Sequence, residues 1–91
     1  MIRAEVRTRI GTSRVILPAQ LRMARAGLGW SLAELAQKAG VNPNTLSRYE
    51  RGKDVLTSVL LKTEKVLRAE GVLFDEEGPF FGVRVPRDKI S

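Results

Sequence analysis

The chain contains no cysteine, which excludes a disulfide framework and any thiolate metal site. It contains no histidine either, so the usual general base and the imidazole ligand are missing. Aromatic residues make up only 5%. No apolar run reaches the roughly eighteen residues that a membrane span needs. The first fifteen residues carry charges throughout and lack an apolar stretch, which argues against a secretory signal. Ser13, Ser31, Ser47 and Ser58 have no histidine to activate them. Asp75, Glu76 and Glu77 read as a solvated turn, because neighbouring carboxylates diverge and cannot converge on one cation. An enzyme is therefore not expected, and neither is a cofactor or a metal.

What is present is a small mixed chain: 91 residues, 43% apolar, 29% charged, enough for one domain with a modest core. Basic residues outnumber acidic ones by 16 to 10. The excess is concentrated early, with Arg3, Arg7, Arg9, Arg14, Arg22 and Arg25 set against Glu5 alone in the first thirty positions. Such a bias suits a polyanionic partner, although solubility alone also explains it.

Residues 2–10 alternate apolar and charged, a strand pattern that a flexible basic arm explains equally well. From Leu17 the period becomes helical. Pro18 suits a first helical position, Leu21, Ala24, Arg25 and Leu28 recur at helical spacing, and Gly27 and Gly29 are expected to end the run. Ser31 and Glu34 form a capping box for a second helix with the stripe Leu32, Leu35, Ala36 and Ala39. Gly40 is placed for a left-handed turn. Asn42 caps a third helix that begins with Pro43. A fourth is expected from Val55 to Glu70, with Leu56, Val59, Leu60, Thr63, Val66 and Leu67 facing inward. Val72–Phe74 and Phe81–Val85 then read as a β-hairpin, which is marginal in water unless it packs on something.

Two short helices joined by Ala39-Gly40-Val41 and plugged by Val41 and Leu46 make a helix-turn-helix. The segment "GWSLAELAQKAGVNPNTLSRYERG", preceded by "LPAQLRMARAGL", resembles the phage Cro/repressor-like (XRE-type) helix-turn-helix family over residues 17–70. The tail "GVLFDEEGPFFGVRVP" resembles the hairpin extension of small bacterial regulators in that family.

The resemblance implies a mainly α fold: a lambda-repressor-like bundle of about four helices over 17–70, a hairpin extension and tail over 71–91, and a basic arm or strand over 1–16. It also implies a sequence-specific transcriptional regulator of double-stranded DNA, a homodimer on a palindromic operator, working in the cytoplasm at the nucleoid. The recognition helix would run from Asn42 to Arg51. Base edges would be read by Asn44 and Arg48, with Ser47 and Pro43 as further contacts. Asparagine pairs with adenine and arginine with guanine in the major groove. Asn42, Thr45, Arg51 and Lys53 are candidates for phosphates. Arg25 and Glu50 would form a partly buried structural ion pair. The hairpin, with Phe80 and Phe81, is the expected dimerisation element. An antitoxin-like module that binds a partner protein as well as its own promoter is the alternative.

Overall fold

The computed structural model describes residues 16–75 and 82–90. The strand or arm expected over 2–10 and the Phe80–Phe81 pair lie outside them. Four helices follow in order: α1 (Pro18–Leu28), α2 (Leu32–Ala39), α3 (Pro43–Glu50) and α4 (Thr57–Ala69). A two-stranded antiparallel hairpin comes next, β1 (Leu73–Asp75) with β2 (Gly82–Arg84), and then a short 3-10 turn, Arg87–Lys89. No helix among the described residues is long and apolar enough to cross a membrane.

The helix boundaries follow local chemistry. Ser31 Oγ accepts from the Glu34 N–H at 3.0 Å while Glu34 Oε1 accepts from the Ser31 N–H at 2.8 Å, so two orphan donors are satisfied together. Asn42 Oδ1 accepts from the Asn44 N–H at 2.8 Å at the start of α3. Between α2 and α3 the chain reverses at Gly40, whose φ of 70° is a conformation that a Cβ disfavours. The α2 and α3 helices pack on each other through Leu35, Ala36 and Leu46, all essentially buried. Ile16, Leu21, Ala24, Leu28, Leu67 and Val72 complete the core.

Two expectations are corrected. Leu56 was expected to face inward, yet it is 73% exposed. It is the N-cap of α4 and has extended backbone (φ −63°, ψ 137°), so the helical stripe that holds Leu60, Thr63 and Leu67 begins after it. Gly27 was expected to help end α1, but it lies inside the helix. A Cβ there would come within 2.8 Å of Val85 Cγ2, so the glycine makes room for the strand end rather than a stop.

That contact is half of how the hairpin is seated. Phe74 pairs with Val83 in the register, and both pack with Val85 against the helical core, while Leu73 and Arg84 face outward. The other half is Gln20, a fully buried polar side chain. Its Oε1 accepts from the Leu17 N–H at 2.9 Å, and its Nε2 donates to the Asp75 and Gly82 carbonyls at 3.1 and 3.2 Å. One amide thus caps the first helix and ties down both strands. Arg68 adds a cation–π contact with Phe74, at 5.0 Å from the ring centroid.

Replacing Gln20 by alanine would strand three backbone groups at once. Gln20→Ala is expected to destabilise the fold by about 1–3 kcal/mol, read from the midpoint of chemical denaturation.

Candidate nucleic-acid interface

The third helix presents two faces of opposite character. Leu46 and Glu50, one turn apart, are buried. Asn44 and Arg48, also four residues apart, are exposed, as are Pro43 at the helix start and the cap Asn42. Thr45 and Ser47 are half-buried between the two faces. Arg51 and Lys53 stand exposed just beyond the helix. Every side chain expected to read a base or hold a phosphate therefore lies on α3 or immediately beside it.

Ser47 is engaged within the chain. Its Oγ accepts from Arg51 Nη1 at 2.9 Å, which directs the Arg51 guanidinium back along the helix. No ion pair among the described residues involves Arg48, Arg51 or Lys53. Three cations without an ion pair among the described residues, beside an exposed amide, make a surface suited to phosphates and to the acceptor-rich edge of guanine.

The opposite face is anchored by charge. Arg25 on α1 meets Glu50 in a two-pronged pair, Nε to Oε2 at 2.9 Å and Nη2 to Oε1 at 3.0 Å. The Glu50 side chain is only 7% exposed and that of Arg25 24%. The hydrogen bonds that Arg25 donates to Glu50 raise the pKa of its guanidinium above the ordinary value, against the opposing pull of desolvation. A third guanidinium nitrogen, Arg25 Nη1, donates to the Trp30 carbonyl at 3.1 Å, which brings in the α1–α2 turn. Arg22, three residues earlier and on the same side of α1, donates to the Glu50 backbone carbonyl. Two cations thus converge on the C-terminus of α3, where the helix dipole is negative. Trp30 packs half-buried against the core with the Lys38 ammonium 4.9 Å from its ring centroid, which leaves it a poor platform for a base.

Tyr49 completes the anchoring. Its hydroxyl donates to the Ile16 carbonyl, and burial, followed by the charge of Asp54, pushes its phenol above the ordinary 10.0.

Sequence patterning assigned no role to Gln20, Arg22 or Asp54, and it placed Val55 and Leu56 inside the fourth helix rather than in the connection before it. Arg22 had a usable signal, since it stands three residues before Arg25 on one face. The α3–α4 connection had none, because its shape depends on where α4 begins.

A family model described as helix-turn-helix matches residues 21–70 of the chain, more than half its length. No curated protein matches it.

Two outcomes are expected. Glu50→Ala leaves the Arg25 guanidinium without its carboxylate and should cost about 2–4 kcal/mol in denaturation, because the pair is largely but not wholly buried. Tyr49 is the only tyrosine, so its ionisation is visible by phenolate absorbance. The folded chain binds that proton more tightly than the unfolded chain. Its stabilising contribution is therefore complete below pH 10.0 and lost as the pH rises through the higher folded value. The absorbance midpoint should lie above 10.0 and fall toward it in Asp54→Asn.

Proposed function

The chain belongs to the Cro/repressor-like (XRE-type) helix-turn-helix family of DNA-binding regulators, and from that premise we propose that it recognises a specific double-stranded operator as a homodimer. In this reading α3 enters the major groove, which is wide enough to admit a helix. What supports it most is one arrangement: Asn44 and Arg48 stand exposed on the same face of a helix whose other face is fixed by Leu46 and by the Arg25–Glu50 pair. Side chains that are free at their tips and rigid at their base are what direct readout requires.

Asn44 takes adenine and Arg48 guanine, with Pro43 and Ser47 as secondary base contacts. Ser47 acts mainly by directing Arg51, since its oxygen already accepts that guanidinium. Asn42, Thr45, Arg51 and Lys53 contact phosphates and set the register. Residues 17–70 form the DNA-binding unit and residues 71–91 the extension that pairs two copies.

Dimerisation through the hairpin fits its construction. The sheet has two strands, so each keeps an outer edge unpaired among the described residues, and Leu73 is 53% exposed. A two-fold pair would read two half-sites roughly 34 Å apart, which raises the specificity that two or three readers alone lack.

Selection of bound duplexes from a random library tests the reading. The enriched sites should be palindromic. Arg48→Ala should weaken binding to them by about 1–3 kcal/mol and relax one base pair per half-site. A loss equal across all sequences would reassign Arg48 to the phosphate backbone.

A further inference from the structure

Beside α3 lies an open groove of about 510 Å³, lined by Thr45, Arg48, Asp54, Val55, Leu56 and Val59. Thr45 and Arg48 belong to α3, Val59 to α4, and the other three to the connection between them. The groove is therefore continuous with the exposed face of α3 that carries Arg48. Val55, Leu56 and Val59 give it an apolar side, and Leu56 at 73% is the most exposed large apolar side chain among the described residues. Asp54 is the one acidic group in the lining.

Resting on the reading of α3 as the major-groove helix, the geometry points to a further specificity contact: Leu56, with Val55, receives the 5-methyl group of a pyrimidine adjoining the base pair read by Arg48. The wall chemistry selects this occupant. Within the major groove a pyrimidine methyl is the apolar feature of a base-pair edge, and apolar side chains recognise it by contact. Asp54 disfavours a phosphate at its own position, because a carboxylate repels phosphate, and leaves the backbone contacts to Thr45 and Lys53. The same carboxylate accepts a hydrogen bond from the exocyclic amine of a base edge. Leu56 and Asp54 line the same groove as Arg48, so a methyl and an amine are met beside the guanine that Arg48 reads.

Two bases carry that methyl: thymine and 5-methylcytosine. With 5-methylcytosine, Asp54 accepts from the amine of the same base. With thymine, it accepts from a neighbouring one.

The test starts from the selected operator. Each thymine is replaced in turn by deoxyuridine, which lacks only the methyl, and each cytosine in turn by 5-methylcytosine. Equilibrium affinity is measured for the wild-type chain and for Leu56→Ala, an exposed substitution whose retained fold is checked by its melting curve. One deoxyuridine position per half-site should weaken wild-type binding about fourfold, the contribution of one buried methyl, or one 5-methylcytosine should strengthen it by as much. Either effect should vanish in Leu56→Ala. Silence of every substitution with the wild-type chain overturns the contact, as does an effect undiminished in Leu56→Ala. Both results leave the reading of α3 intact, since the operator and its dependence on Arg48 persist. If no sequence is enriched at all, the reading beneath fails, and the contact fails with it.

Discussion

A carboxylate withdrawn from water at the end of α3 fixes the geometry on which the reading face depends. Glu50 is nearly buried, and a buried charge without a partner is strongly destabilising. Arg25 answers it with two nitrogens and turns another to the Trp30 carbonyl, so one guanidinium joins α1, the α1–α2 turn and α3. Apolar packing through Leu46 holds the helix against the core but leaves its rotation and slide adjustable. A planar, two-pronged pair does not. The direction in which Asn44 and Arg48 point is thus set from behind, by a pair on the opposite side of the helix.

Much of the architecture was legible in the sequence because it is decided within a few residues. Pro18, the Ser31–Glu34 pair, Gly40 and the Asn42–Pro43 pair each state a boundary in local chemistry, and α1, α2 and α3 begin where those signals stand. α4 lacks such a signal. Leu56 has no side-chain acceptor with which to cap a helix, so its place just outside the helical stripe could not be read from spacing. Gln20 was opaque for a different reason. Its partners are 55 and 62 residues away, and nothing near it announces a strand end. Gln20 and Gly27 are seven residues apart and so share one side of α1. That side turned out to be the seat of the hairpin.

For the candidate site, the resemblance named Asn44 and Arg48, and both stand on the exposed face of α3. The link between Ser47 and Arg51 was not readable, since a short hydroxyl facing a helix neighbour looks the same as one facing solvent. The groove beside Arg48 was hidden as well. It is built from a connection whose path depends on Leu56 staying outside the core.

The close approach between Gly27 and Val85 carries a consequence for how two chains could be entangled. The strand end sits where a single extra carbon would collide, so the docking of the hairpin on its own first helix is finely poised. A released hairpin would carry Phe74, Val83 and Val85 uncovered, and an identical vacant seat on another copy would fit it equally well. Exchange of an identical element between protomers is a low-cost route to intertwined pairs. The absence of one carbon atom on α1 is thus what gives this hairpin a seat, on its own chain or on an identical one.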